Sequence, residues 1–381
     1  MNPIIIIGSG LAGYNAAKEL RKLDTSTSLV ILTADSGSFY SKPMLSNALA
    51  TKKTPAAIAL STPEQMATQL NATVRPHARV SAIDTATHAV HIGDETLTYS
   101  KLVLALGADQ MRLPITGDGA ADILTVNDLD DYARFRNAIA DKKRVLIIGA
   151  GLIGCEFAND LAAGGYVVDI IDIADRALGR LLPPEGGALL KSKLEALGVN
   201  WHLGTGVQSV TRTADGYTIT LANGRSMQAD VVLSAVGLIP RTALAAAAGL
   251  KVNRGIVLDR HLEASAPDVY ALGDCAEIEG LVMPYVMPIM HAARALAQTL
   301  AGKRTAVSFP AMPVMVKTPA CPTIVSPPAP GAAGSWQVAA TAEGVQSLFV
   351  AADGKLLGFA LNGAATTERA KLAPQMPPVM A

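Results

Sequence analysis

Two glycine-rich phrases carry the most chemistry in this chain. Ile4-Ile5-Ile6-Ile7-Gly8-Ser9-Gly10-Leu11-Ala12-Gly13 returns as Val145-Leu146-Ile147-Ile148-Gly149-Ala150-Gly151-Leu152-Ile153-Gly154. In each, a run of aliphatic residues feeds Gly-x-Gly-x-x-Gly and then a helix-like segment, the start of a dinucleotide-binding βαβ unit. The chemistry is phosphate binding. The first glycine takes a tight turn, the second admits backbone close to a pyrophosphate, and the third lets helix pack on strand. The helix N-terminus then faces the phosphate charge. One such phrase is equally a tight strand–helix turn with no ligand. Two in matching context argue for two dinucleotides on one chain.

Acidic side chains stand where such ligands need them. Asp172 ends the aliphatic run from Val167, about 20 residues past the glycine turn. A carboxylate there accepts hydrogen bonds from both ribose hydroxyls and repels a 2′-phosphate, which favours NADH over NADPH. Arg176 is close enough in sequence to rescue a phosphate, and a plain surface role for Asp172 is the alternative. The matching end of the first unit holds Thr33 and Ala34, with Asp35 next. Thr33 offers one hydroxyl or is an ordinary strand-end threonine, and Ala34 offers backbone alone. Asp274 follows a hydrophobic run and Gly273, so it can approach a polyhydroxyl chain. Glu156, two residues past Gly154, reads as a first-turn acid favouring the helix dipole by about 0.3–1 kcal/mol.

The elements that must position these residues repeat in the same order. The first unit reads as strand from residue 4, helix 11–23 and strand 28–33. A loop 36–43, a polar alanine-rich stretch, a strand-like passage 73–92 and a buried strand 99–108 ending at Gly107 follow. Residues 112–120 read as a linker. The second unit has a polar helix 128–141, strand 144–148, helix 152–164, strand 167–172, helix 185–197, a β-meander 207–221 and strand 230–237 ending at Gly237. Strands at 255–258 and 269–272 and a helix 290–300 come next. The last 70 or so residues are proline-rich with short alternating segments, and read as a small α+β domain.

Composition narrows the class. At 381 residues the chain exceeds the roughly 250–300 that a single core supports, so two or three domains are expected. Half the residues are hydrophobic and 17% charged, an ordered, core-rich balance. Lys+Arg and Asp+Glu are both 32, so no global field favours nucleic acid or anionic membrane. The opening apolar run stops at Gly8 without a basic n-region, so no signal peptide is read. No apolar stretch reaches the ~20 residues of a membrane span. A cytoplasmic protein is expected. Cys155, Cys275 and Cys321 are far apart, form no Cys-x-x-Cys, and read as small buried hydrophobes. His88 and His91 are three apart on an expected strand, which would point them to opposite faces, so no metal site is expected.

These motifs resemble the pyridine nucleotide–disulfide oxidoreductase-type flavoproteins over essentially the whole chain. Ala266-Pro267-Asp268-Val269-Tyr270-Ala271-Leu272-Gly273-Asp274 is similar to their second FAD motif. Tyr40-Ser41-Lys42-Pro43-Met44-Leu45-Ser46 resembles the segment of rubredoxin and ferredoxin reductases that passes the flavin. The short C-terminus, with Val316-Lys317-Thr318-Pro319 and Glu368-Arg369, most resembles the rubredoxin-reducing branch.

The resemblance implies an α/β fold of two Rossmann-like dinucleotide-binding domains, each three-layer ββα, plus the small α+β C-terminal domain. It places an FAD domain at 1–112 and 238–312, an NAD domain at 113–237 and a C-terminal domain at 313–381. FAD is then expected on Gly8, Ser9, Gly10, Leu11, Ala12, Gly13, Thr33, Ala34, Lys42, Pro43, Gly107, Gly273 and Asp274. Val80 and Val286 would add backbone contacts to the adenine and the flavin pyrimidine. NAD(H) is expected on Gly149, Gly151, Gly154, Glu156, Asp172 and Gly237. Lys42, Glu156 and Lys317 are the implied catalytic residues. A Lys42 ammonium near the flavin N5/O4 region stabilises negative charge as hydride arrives, and is placed to pair with Glu156. Solvated loop lysines are the alternative at 42 and 317.

No dithiol lies beside the flavin segment, where the nearest candidates are Ser41 and Ser46. Electrons should therefore leave directly, to rubredoxin or alternatively to a ferredoxin serving a monooxygenase. A redox-sensing binding protein is the reading outside enzymes. Rubredoxins are acidic, so Lys42, Arg294, Lys303, Arg304 and Lys317 are candidates for a basic docking patch.

Overall fold

The computed structural model describes residues 2–381. Its first sheet is five-stranded and parallel, in the order Val269–Ala271, Lys101–Leu104, Ile4–Ile7, Leu29–Leu32, Thr73–Arg75. The central strand is buried throughout, as a parallel strand covered on both faces must be, which is why its sequence is an unbroken aliphatic run. Helices Leu11–Arg21 and Val286–Leu300 pack on each other and on this sheet, and an antiparallel meander (Ala82–Asp84, Ala89–Ile92, Glu95–Thr98) adds Ile83 and Val90 to the same core.

The second unit repeats the plan. Its parallel sheet runs Val199–Leu203, Val167–Asp172, Arg144–Ile148, Val231–Ser234, beside a meander of Val207–Arg212, Tyr217–Leu221 and Ser226–Ala229. Alternate residues of its central strand feed opposite layers. Val145 and Ile147 pack with Cys155 and Leu161 of helix Leu152–Ala163, while Leu146 and Ile148 pack with Val210 and Ile219 of the meander. An antiparallel ribbon, Ala108–Gln110 with Leu238–Pro240, ties the two units together. The C-terminal residues form a five-stranded antiparallel sheet, ordered Val314–Val316, Thr323–Ser326, Leu356–Gly363, Gly344–Val350, Ser335–Ala340. Its Val316, Val325 and Ala360 join the core around Cys155.

Several boundaries differ from the sequence expectation. The expected strand 99–108 is two elements: the parallel strand ends at Leu104 and the ribbon begins at Ala108, with Gly107 at φ +72° between them. The expected helix 290–300 starts at Val286, because Pro288 falls in the first turn, where no helical partner for its missing N–H is needed. Helix Pro63–Leu70 lies within the polar alanine-rich stretch, where no helix is expected. Strands Val199–Leu203, Val314–Val316 and Thr323–Ser326 were not foreseen. Among the described residues no helix is long and apolar enough to cross a membrane.

Candidate functional site

The first glycine turn is built for close backbone approach. Gly8 sits at φ +111°, and a Cβ there would meet the carbonyl carbon of Ala105 at 2.9 Å. A Cβ on Gly13 would meet the carbonyl carbon of Gly8 at 3.0 Å, so helix Leu11–Arg21 lies directly on the turn. At Gly10 a Cβ would meet nothing within 4 Å. The turn therefore borders open space at Gly10. Leu11 and Ala12 open the helix, and a Cβ on Gly273 would lie 2.7 Å from that of Ala12, so the strand end carrying Asp274 arrives at the same cradle.

Beside this cradle the structure joins residues the sequence left separate. Ser9 Oγ is buried, 2.9 Å from Thr33 Oγ1 and 3.1 Å from Asp35 Oδ1. Thr33 Oγ1 donates to the same carboxylate oxygen at 2.6 Å, and the Gly37 N–H donates to it at 2.9 Å. Thr33 thus spends its hydroxyl inside the protein. Asp35, exposed and held by one oxygen, is the acid at this strand end. The sequence reading names it beside Thr33, and the structure joins the two by a hydrogen bond. Ala34 is exposed, and the Val80 side chain lies in the core.

The second turn copies the first. Gly149 is at φ +108°, with Ala235 O 2.7 Å from a Cβ placed there; Gly154 would meet the Gly149 carbonyl carbon at 3.0 Å; Gly151 faces open space. Asp172 braces the turn: Oδ2 accepts from Ala150 N–H at 2.5 Å and Oδ1 from Ala174 N–H at 2.7 Å. A carboxylate has about four lone-pair sites, so it keeps room for ribose hydroxyls. Arg176 does not pair with Asp172. Its guanidinium lies 3.3 Å from Asp175 and its stem packs beside Gly179 and Gly187.

Helix Leu152–Ala163 presents one polar face, at positions 156, 159 and 160, to two distant segments. Glu156 is 1% exposed. It accepts from Ser46 Oγ at 2.6 Å, from the Lys317 backbone N–H at 2.9 Å, and from Lys317 Nζ. Lys317 Nζ also donates to Ser46 Oγ at 2.9 Å. Asn159 Oδ1 accepts from Ala320 N–H at 3.0 Å, and Asp160 accepts from the N–H groups of Leu49 and Ala50 at 2.9 and 2.8 Å. Burial raises the Asp160 pKa, against the downward pull of those two hydrogen bonds. The helix starts at Leu152, so Glu156 lies beyond the first turn and the expected dipole role does not apply.

The expected Lys42–Glu156 pair is absent, because Lys317 occupies Glu156. Lys42 instead donates to Asn127 Oδ1 at 2.6 Å and stands 3.9 Å from Asp274 Oδ2. Burial lowers the Lys42 pKa, and Asp274 opposes the shift. Pro43 opens the 3₁₀ turn Lys42–Ser46, so one short turn sends Lys42 towards the first cradle and Ser46 to the second. Gly107 and Gly237 flank the connecting ribbon. Val286 is the first residue of its helix and is exposed. Neither Asn127 nor Ser46 carries a sequence signal for its role, since each acts through a partner far away in the chain.

Cys155, Cys275 and Cys321 are buried and unpaired. Burial pushes the Cys155 thiol up, and that of Cys275 up to about 11. The five docking candidates do not form one free basic set. Lys42 and Lys317 are committed as above, and Arg304 pairs with Asp259 at 3.0 Å and Glu263 at 3.5 Å.

The pyridine nucleotide-disulphide oxidoreductase family model matches residues 2–299, and a rubredoxin binding C-terminal domain model matches 306–376. A rubredoxin-NAD(+) reductase of Alcanivorax borkumensis is 50% identical over 381 residues, covering all of both chains, and one of Acinetobacter baylyi is 47% identical over 99% of each. Among solved structures, a ferredoxin reductase from Rhodopseudomonas palustris superposes with a TM-score of 0.89 at 26% identity, covering 100% of this chain and 96% of that one. The chain belongs to the pyridine nucleotide-disulphide oxidoreductase family and, within it, to the rubredoxin-NAD(+) reductases.

Proposed function

We infer that this chain is an NADH-dependent FAD flavoprotein that passes electrons to rubredoxin. The observation that carries the reading is the Lys42–Ser46 turn, whose first residue stands by Asp274 at one glycine cradle and whose last bonds Glu156 from the helix of the other. Two glycine cradles are thereby held against one short segment.

Bound FAD supplies the interconversion of a two-electron hydride and single electrons. The chain's residues bind, orient and tune. We propose that the Gly8–Gly13 turn holds the FAD pyrophosphate, with Asp35 and the Thr33–Ala34 backbone at the adenosine ribose and Asp274 at the ribityl chain. The Gly149–Gly154 turn and Asp172 would hold NADH. Lys42 would set a positive charge where negative charge develops. The Glu156–Lys317 pair would hold the C-terminal domain against the helix of the second cradle. No thiol is placed to relay electrons, since all three are buried. We propose the division into an FAD domain of 1–112 and 238–312, an NAD domain of 113–237 and a C-terminal domain of 313–381, and a cytoplasmic location, where free cysteines stay reduced.

The test is anaerobic rapid mixing of NADH-reduced protein with rubredoxin and, separately, with a [2Fe–2S] ferredoxin. Rubredoxin should be reduced faster by orders of magnitude at equal concentration. Faster ferredoxin reduction would reassign the acceptor.

A further inference from the structure

Lys42 has one short hydrogen bond, and its acceptor is Asn127, 85 residues away. Asn127 lies just before Asp128, the N-cap of helix Leu129–Ile139, and therefore belongs to the segment leading into the second unit. Its amide is fixed at both ends. Nδ2 donates to Ala108 O at 2.9 Å, at the start of the connecting ribbon, and the backbone N–H donates to Asp131 Oδ2 at 2.8 Å. The bond to Ala108 sets which way the amide faces. Turned over, it would point an N–H₂ at the ammonium and a carbonyl at a carbonyl.

Among the described residues the only carboxylate in ion-pair range of Lys42 is Asp274, and at 3.9 Å it is beyond hydrogen-bond distance. Orientation of the ammonium therefore falls to a neutral acceptor. That choice has a consequence: an amide directs the charge without cancelling it, whereas a carboxylate at the same place would pair with it and weaken its field.

We infer that Asn127 is a positioning residue, which aims the Lys42 ammonium at the flavin site without setting a second carboxylate, beside Asp274, against its charge. The inference rests on Lys42 having the tuning role proposed above. Asn127 acts only through Lys42. It also links that lysine to the ribbon on which the second unit is hung, so the placement of one unit is felt at the charge beside the other's cofactor.

The test uses the FAD-loaded full chain and four proteins: K42M, N127L, N127D and K42M/N127L. FAD stoichiometry and thermal unfolding establish that each is folded. Two quantities are then read, the flavin midpoint potential and the single-turnover rate of reduction by NADH at saturation. N127L should slow reduction about tenfold, the equivalent of about 1.4 kcal/mol, with the NADH dissociation constant unchanged. N127D should move the midpoint to more negative values, in the same direction as K42M, because both remove net positive charge. In the double variant N127L should add nothing to K42M. Should N127L not hold FAD, the shared direction of the N127D and K42M midpoint shifts decides the matter alone. Unchanged midpoint and rate in K42M would sink the Lys42 role itself. A K42M effect with N127L and N127D silent, or with N127L fully additive to K42M, would overturn the inference for Asn127.

Discussion

Glu156 and Lys317 are 161 residues apart and form an ion pair in which the carboxylate is buried and the ammonium partly so, with Ser46 bonded to both. Glu156 comes from the helix of the second glycine turn, Lys317 from just past the C-terminal strand Val314–Val316 and Ser46 from the turn that begins at Lys42. The pair is therefore the point at which three parts of the chain are held in register.

Removing one partner should cost more than removing both. Lys317→Met strands a buried carboxylate on two remaining donors, and breaking such a pair typically costs about 3–5 kcal/mol. Glu156→Gln keeps the shape and should cost less. Adding Glu156→Gln to Lys317→Met should recover part of the loss. Urea unfolding of the three FAD-loaded proteins measures this, and equal or additive losses would mean that the pair is not coupled.

Lys42 should give hydride uptake an alkaline limb. Burial lowers its pKa from the ordinary lysine value of 10.5. The ammonium is therefore lost as pH rises, earlier than for a free lysine. The rate of reduction by NADH should fall along that limb. Lys42→Arg, which stays charged, should move the limb upward or abolish it. A limb unaltered in the arginine variant would assign it to another group.

Asp172 should set the cofactor preference. Its two oxygens already brace the N–H groups of Ala150 and Ala174, so Asp172→Ala should weaken NADH use as well as admit NADPH. The NADH/NADPH ratio of kcat/KM should narrow by at least roughly tenfold, the cost of a like-charge clash of a kcal/mol or more. An unchanged ratio would move attention to Arg176.

Changing Cys155, Cys275 and Cys321 together to Ala should leave rubredoxin reduction within about twofold while lowering the unfolding temperature, since each thiol is a packed, buried group. Loss of rubredoxin reduction with fold and FAD intact would instead demand a thiol relay.

The two cradles were legible because their physical demands act on neighbouring residues. Gly8 and Gly13, or Gly149 and Gly154, meet each other's backbone within a few positions, so the need is written as a local phrase. Helix Pro63–Leu70 was equally legible and was missed: Thr62 and Gln65 form a capping box, with Pro63 at the first helical position. The partners of Lys42 and Glu156 are a different case. Lys42 bonds a residue 85 positions away and Glu156 one 161 away, so no periodicity or spacing near either lysine could choose between them. The resemblance placed both lysines near the flavin, but which carboxylate each would meet depended on how the C-terminal sheet packs on helix Leu152–Ala163. Asp35 lies between these cases. Its carboxylate serves Ser9, Thr33 and Gly37, and an acid followed two residues later by glycine was visible in the chain.

The most direct measurement is multiple-turnover reduction of rubredoxin by NADH under anaerobic conditions, with the FAD-loaded protein at catalytic concentration. The account predicts many rubredoxins reduced per FAD each second, with NADH and rubredoxin consumed in a 1:2 ratio, as a hydride divided into single electrons requires. A single stoichiometric burst followed by a long-lived complex of reduced protein and rubredoxin would contradict it.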